Sequence, residues 1–385
     1  HHYEGNYRHM YRTSQEPFRV VVAAGGTGGH IFPAVAVVEQ LQVLTNGRCS
    51  ALFLGSDDRM ETTLIPGLGF PFVPMPIRGY RGILSPSVLT LPFKILRSVR
   101  IAREAIKRHR AQAVICTGAY ISYPAGLAAL RENVPLFVLE SNLNPGKTNA
   151  RLAPRATAVV LAFEESRAFY PEDLQERLHV FGNPVRTQID PSIDPATARH
   201  KLGLNPDRPV VFVFGGSLGA RSINMAVDAA LPMLATSPYQ VLWQTGKVFE
   251  PGGTIPPNVV VKPFIDDMGL AYAAADLVVS RSGATTISEL GILGKPSILV
   301  PLPSASTNEQ MHNARVVEQH GGALVIRDAD VAPTLVTSID GVMRDAERRH
   351  RMGEAVRQLG RPNAAADTAR LVLQLCNALN TGDEQ

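Results

Sequence analysis

Six residues, Gly25-Gly26-Thr27-Gly28-Gly29-His30, follow the apolar run 18–24 and precede a helical pattern opened by Pro33. A glycine turn between a buried strand and a helix start presents unpaired backbone N–H groups at the positive end of a helix dipole, which is the chemistry that holds an anion such as phosphate. The device recurs 190 residues later, with 209–214 as the strand, Gly215-Gly216-Ser217-Leu218-Gly219-Ala220 as the turn and a helix from Arg221. Two copies suggest two similar domains facing a shared cleft. The dinucleotide fingerprint G-x-G-x-x-G is not met: counted from Gly26 and Gly28, the third glycine position holds Ile31, and counted from Gly25 the second holds Thr27. A nicotinamide enzyme is therefore disfavoured.

His30 stands at the mouth of the first helix, where the dipole opposes imidazolium and favours neutral imidazole, the form able to accept a proton. A general base contributes typically about 10²- to 10⁴-fold in rate, so hydroxyl attack would gain from a histidine placed there. The alternative is a histidine that caps the loop or bonds a backbone carbonyl. In the second half, Arg281-Ser282-Gly283-Ala284-Thr285-Thr286-Ile287-Ser288-Glu289-Leu290 follows the strand pattern 275–280. Its small residues leave a helix N-terminus open to phosphate, and Glu289, less than two turns along, can accept from both hydroxyls of a ribose. The competing reading of Glu289 is a solvated helix glutamate.

These groups need a scaffold. A chain of 385 residues, 45% hydrophobic and 19% charged, is long enough for two domains of ordinary size. Unalternating apolar blocks recur at 51–54, 113–117, 135–139 and 157–161, then at 240–244, 258–262, 276–280, 297–301 and 323–326. Such blocks between helical patterns indicate parallel strands covered on both faces, so each half reads as a doubly wound sheet. The boundary falls in Phe181-Gly182-Asn183-Pro184-Val185-Arg186, giving domains over 18–184 and 185–362, with a last helical segment, 363–379, able to return to the first. Residues 1–17 lack periodicity and are set aside as a disordered or expression-derived extension. The three cysteines, Cys49, Cys116 and Cys376, are too scattered for a disulfide framework or zinc site, which favours a reducing compartment. Cys116, inside an apolar strand pattern, reads as a buried structural thiol. The adjacent pairs Asp57-Asp58 and Asp266-Asp267 have side chains that tend to diverge, and no metal or other cofactor is expected.

Several motifs then occur in order: G-G-T-G-G-H with Pro33-Ala34, Asp58-Arg59-Met60-Glu61, Gly182-Asn183-Pro184-Val185-Arg186, G-G-S-L-G-A, Phe264-Ile265-Asp266-Asp267-Met268 and S-G-A-T-T-I-S-E. From about Arg19 to Asp367 the chain resembles the MurG family, N-acetylglucosaminyltransferases that complete the lipid-linked disaccharide precursor of peptidoglycan. The resemblance implies the GT-B architecture: two Rossmann-like domains separated by a deep cleft, donor on the C-terminal half, acceptor on the N-terminal half. It implies inverting transfer of N-acetylglucosamine from UDP-GlcNAc to the 4-hydroxyl of undecaprenyl-diphosphate-linked N-acetylmuramoyl-pentapeptide. By the same resemblance Ser217 touches the donor diphosphate, the backbone at Ile265 meets uracil under Phe264, Glu289 takes the ribose and Gln310 the transferred sugar. Arg186 reaches the nucleotide from the hinge side. Thr27, Gly28, Gly29, His30 and Asn142 lie near the acceptor, with His30 the base. Three segments depart from the family pattern: Leu139-Glu140-Ser141-Asn142 where H-E-Q-N is usual, Gly118-Ala119 where a glycine pair precedes Tyr120, and Thr307-Asn308-Glu309 before Gln310.

A lipid acceptor requires contact with a membrane, and no apolar run is long enough to cross one. The window 78–110 holds Ile83, Leu84, Val88, Leu89, Leu91, Phe93, Ile95 and Leu96 together with nine Lys or Arg residues and one acid, Glu104. Such a patch can insert among headgroups while its cations meet anionic lipid. An amphipathic helix with a solvated basic face is the plainer reading, and nucleic-acid binding lacks any aromatic-basic signature. Given the resemblance, the expectation is a peripheral protein on the cytoplasmic face of the bacterial membrane, with cell-wall or division proteins open as further partners. Alternatives are a GT-B relative with another lipid acceptor, a UDP-GlcNAc epimerase, or a non-catalytic nucleotide-sugar-binding scaffold.

Overall fold

The computed structural model describes residues 16–26, 28–58, 60–77, 87–216, 219–304 and 307–376, except the side chains of Ser87 and Val88. The chain divides into two compact units: one runs to Arg186 and is rejoined from Asn363, the other is Thr187–Pro362.

In the first unit the order is β1 (Phe18–Ala23), α1 (Gly28–Leu44), β2 (Cys49–Ser56), α2 (Glu61–Gly67), β3 (Phe72–Met75), α3 (Ser87–His109), β4 (Ala113–Cys116), α4 (Ser122–Arg131), β5 (Leu136–Glu140), α5 (Lys147–Leu152), β6 (Ala158–Leu161) and β7 (Leu178–Val180). The seven strands pair in parallel in the order β3-β2-β1-β4-β5-β6-β7. Strand period sorts the core into two layers. Val21, Ala23, Val114, Cys116 and Val138 meet Val99, Ala102 and Ile106 of α3 and Ala125 and Ala129 of α4 on one face. Val20, Val22, Ile115 and Phe137 meet Ile31, Val35, Val38 and Leu41 of α1 on the other. Burial on both faces explains why these strands read as unbroken apolar runs.

The second unit contains α6 (Pro195–Lys201), β8 (Val210–Phe214), α7 (Arg221–Leu234), β9 (Gln240–Gln244), β10 (Val259–Lys262), α8 (Met268–Ala274), β11 (Leu277–Ser280), α9 (Ala284–Leu293), β12 (Ser297–Leu299), α10 (Glu309–Gln319), β13 (Ala323–Val325), α11 (Val331–Met343) and α12 (Ala346–Arg357). Its sheet runs β10-β9-β8-β11-β12-β13, again parallel. Trp243 is fully buried, and its indole N–H donates to Asn224 Oδ1 at 3.0 Å. An unmet donor there would cost about 1–3 kcal/mol.

The last helix, α13 (Ala364–Leu375), belongs to the first unit, where Ala369, Val372 and Leu373 join the layer formed by α1 and β1. Two features differ from the sequence reading. The first helix starts at Gly28 and carries Pro33 inside it; two low-propensity glycines hide its true start, so the pattern reads as opening at the proline. Strands β3 and β7 were not expected. They are the two sheet edges, only four and three residues long and mostly half-buried, and β3 contains Pro74, which an edge tolerates because one side of the strand has no ladder to complete.

Candidate active site

In each sheet the strand order reverses direction between the first strand and its crossover neighbour, β1/β4 in one unit and β8/β11 in the other. The carboxyl ends of strands at such a switch point are where open parallel sheets bind ligands. Both glycine turns stand there.

In the first unit, β1 ends in Gly25 and Gly26, with Gly26 at φ +87°, and α1 begins at Gly28. Gly28 and Gly29 are therefore the first residues of that helix; Thr27 lies outside the described residues. His30 follows in the same turn and is partly buried. Thr117, just beyond β4, donates from Oγ1 to the His30 carbonyl at 2.8 Å, tying the helix start to the β4 turn. A Cβ on Gly118 would sit 3.3 Å from His30 Nε2 and 3.4 Å from Asn149 Nδ2, so the imidazole lies against the bare glycine backbone with the amide of α5 beside it. Burial pushes the His30 imidazole down to about 4, partly opposed by the charge of Glu61. At neutral pH the ring is thus the neutral, proton-accepting species. Asn142 is on the turn after β5, where its N–H donates to Glu140 Oε2 at 3.2 Å while Gly146 N–H donates to Oε1 at 2.6 Å. That buried carboxylate shapes the 141–146 turn.

The second residue of the family's glycine pair is Ala119, and it holds φ +61°. A left-handed alanine costs about 1–2 kcal/mol that glycine would not. Arg186 falls in the first unit, whereas the expected boundary assigned it to the C-terminal domain. Its guanidinium lies 4.1 Å from the centre of the Phe32 ring on α1.

The first glycine turn also differs from the plain phosphate cradle that its sequence suggested. The Gly26 N–H donates to the Glu61 carboxylate, at 3.2 Å to Oε1 and 3.3 Å to Oε2. The two turns are therefore not equivalent: one is closed on an internal anion.

In the second unit the turn after β8 has Gly216 at φ +95° and Gly219 at φ +79°; Ser217 lies outside the described residues. A Cβ on Gly219 would stand 2.4 Å from the Thr245 carbonyl oxygen, and one on Gly215 would stand 2.3 Å from the Ala220 nitrogen, so the turn admits neither. Gln244, the last residue of β9, donates to the Gly216 carbonyl at 3.3 Å and accepts from the Ile265 N–H at 2.9 Å. The nucleotide-facing role expected of Ile265 thus rests on its carbonyl while this bond persists. Phe264 is 43% exposed, with Lys247 Nζ 5.7 Å from its ring centre.

Helix α9 opens at Gly283, just past the carboxyl end of β11, with no side-chain cap hydrogen bond from that residue. Glu289 is only 2% exposed in its second turn, which discards the solvated reading. Gln310, in the first turn of α10, accepts at Oε1 from Ser282 N–H (3.2 Å) and Leu302 N–H (2.9 Å). Its carboxamide oxygen therefore holds the α9 entry. Arg281 adds an ion pair to Asp328 at 2.6 Å, with Ser222 of α7 donating to the same oxygen. Although burial acts the other way, the bonds from Ser222 and Arg281 hold Asp328 below the usual carboxylate range. Sequence reasoning did not single out Gln244, Glu61 or Arg281 as site residues. For Gln244 and Arg281 the available signal was a polar residue at the carboxyl end of an apolar strand or just past it; Glu61, at the start of α2, gave no such signal.

Two Rossmann-like units, each with a glycine turn leading into a helix at its switch point, define a nucleotide-sugar transferase of the GT-B class. The chain belongs to glycosyltransferase family 28: residues 20–161 match the model of its N-terminal domain and 210–368 that of its C-terminal domain. Within the family it is 39% identical, over 93% of this chain and 99% of the relative, to the UDP-N-acetylglucosamine–N-acetylmuramyl-(pentapeptide) pyrophosphoryl-undecaprenol N-acetylglucosamine transferase of Prosthecochloris aestuarii. It is 35% identical to the protein of that name from Cytophaga hutchinsonii, over 95% and 98%. The crystal structure of MurG from Acinetobacter baumannii aligns with a TM-score of 0.72 at 30% identity, covering 93% of this chain and all of that one.

Proposed function

We propose that the chain transfers N-acetylglucosamine from UDP-GlcNAc to the 4-hydroxyl of undecaprenyl-diphosphate-linked N-acetylmuramoyl-pentapeptide, inverting the anomeric centre. The observation that carries this reading is the full-length relationship at 39% identity to a transferase of that name, joined to a neutral imidazole at the first switch point. His30 takes the acceptor hydroxyl proton, the acceptor oxygen bonds to the anomeric carbon, and the bond from that carbon to the diphosphate breaks. UDP leaves with its charge facing the starts of α7 and α9, where oriented N–H groups stabilise anions without reorganising. Phe264 and the Ile265 carbonyl serve uracil, Glu289 the ribose, Ser217 the diphosphate and Gln310 the sugar; Thr27, Gly28, Gly29 and Asn142 serve the acceptor side, and Arg186 reaches the nucleotide from the hinge side.

Acceptor-dependent UDP release tests the reading. It is expected with UDP-GlcNAc and the muramoyl-pentapeptide lipid, and absent with UDP-glucose. Release without acceptor and with an altered sugar configuration would instead mark an epimerase, and donor binding without release a scaffold.

Membrane contact through α3 is part of the proposal. Among the described residues, Leu89, Phe93 and Leu96 are 81%, 74% and 60% exposed and follow one helical stripe, while Val99, Ala102 and Ile106 form the buried face. Arg97, Arg100, Lys107 and Arg108 are exposed on the same helix; the part of the patch at 78–86 lies outside the described residues. No described helix is long and apolar enough to cross a membrane. Replacing Leu89, Phe93 and Leu96 together with serine is expected to lower co-sedimentation with vesicles containing anionic phosphatidylglycerol at least tenfold. Unchanged co-sedimentation would remove α3 from the membrane-binding surface.

A further inference from the structure

Glu61 is fully buried at the start of α2, yet the transfer reaction as described gives it no part. Its Oε1 accepts from Ser56 N–H at 3.0 Å and Ser56 Oγ at 2.6 Å, and both carboxylate oxygens accept from Gly26 N–H. The surroundings are built around it. A Cβ on Gly25 would stand 2.2 Å from Glu61 Oε1, and one on Gly55 would stand 2.7 Å from its Cγ. The chain thus brings glycine from both β1 and β2 to make room for one carboxylate, and places that carboxylate under the turn that leads into His30.

We propose that Glu61 is a positioning residue for the transfer: its carboxylate fixes the glycine turn that delivers His30 and supplies the negative charge that stabilises the imidazolium formed when His30 takes the acceptor proton. This rests on the reading of His30 as the base. A carboxylate spent on backbone N–H groups of a turn is an expensive anchor, because a serine or asparagine could satisfy one N–H without burying a charge. What charge adds is a field at the imidazole. The charge of Glu61 acts on that ring, whereas Gly118 and Asn149, which face it from the β4 turn and α5, are uncharged, and Arg186 stacks on Phe32 two positions along. Burial makes His30 a weak base, and the carboxylate restores part of its basicity where a base works best, closer to the operating pH.

The test is Glu61→Gln, which can keep all three bonds to Oε1 while removing the charge. The readouts are kcat at pH 7.5 with UDP-GlcNAc and the lipid acceptor, the donor KM, and the protonation midpoint of the His30 ring followed by nitrogen chemical shifts. With the negative charge gone, imidazolium is less stable, so the midpoint moves down by about one unit and kcat falls about 3- to 10-fold with the donor KM unchanged. A fall in kcat with an unmoved midpoint, or a moved midpoint with wild-type kcat, overturns the proposal. Should Glu61→Gln not fold, Glu61→Asp withdraws the charge by one methylene and reads a smaller shift in the same direction; no shift there overturns it equally. His30→Ala separates the two readings. Wild-type turnover in that variant removes the base and the proposal together, whereas a slow His30→Ala beside an unmoved Glu61→Gln midpoint removes Glu61 alone.

Discussion

Replacing His30 with alanine is expected to lower kcat by about 10²- to 10⁴-fold, the usual worth of a general base, while the affinity for UDP stays within twofold. The rate loss follows from the ring's surroundings. Its carbonyl is tied to Thr117 and its Nε2 edge lies against Gly118, so it is held in one place before any substrate arrives. It is neutral, since burial pushes its protonation down to about 4. The sign of the pH dependence follows: the working base is present above that value and is lost as pH falls through it, so wild-type turnover is flat from pH 8 to about 5.5 with respect to this group. UDP affinity is spared because Ile265, Phe264 and Glu289, proposed to hold the nucleotide, belong to the other unit, and Arg186, which reaches it from the first, keeps its side chain. Steady-state turnover and calorimetric titration with UDP check both halves. An unchanged kcat would move the base elsewhere; a lost UDP affinity would give His30 a nucleotide contact instead.

How much of this was legible beforehand depends on whether the governing interaction was local. The start of α7 at Arg221 and the central strands are local matters of periodicity, and they stand where the sequence put them. Strands β3 and β7 are not local. Three or four half-buried residues become strands only because β2 and β6 offer an open edge. The role of Glu61 is likewise invisible in its own short helix, since it depends on Gly25, Gly26, Gly55 and Ser56 meeting it from two strand ends. Gln310 shows the same lesson in reverse. Its assignment to the sugar came by resemblance, and the fold adds a structural duty, closing the α9 entry through Ser282 and Leu302. The division of labour between the glycine turns could not be read from two such similar hexapeptides. It is set by what lies beneath each: a carboxylate under one, the Gln244 carboxamide beside the other.

Glu289→Ala is expected to weaken UDP-GlcNAc binding by about 10- to 100-fold, corresponding to the loss of charge-assisted hydrogen bonds of about 1.5–3 kcal/mol, with kcat at saturating donor changed much less. The carboxylate is 2% exposed and sits in the second turn of α9, on the helix whose uncapped start faces the switch point. A carboxylate at that place can accept from both hydroxyls of a ribose, which is the role the resemblance gives it. Because the residue is buried, alanine also removes packing, and a fall in affinity alone would not distinguish contact from collapse. A donor lacking the ribose 2′-hydroxyl resolves this. If Glu289 binds the ribose, the wild-type protein discriminates against the deoxy donor and the variant does not, so the two losses are not additive. Equal discrimination by both proteins would mean that the carboxylate stabilises α9 and that the ribose is held by other groups.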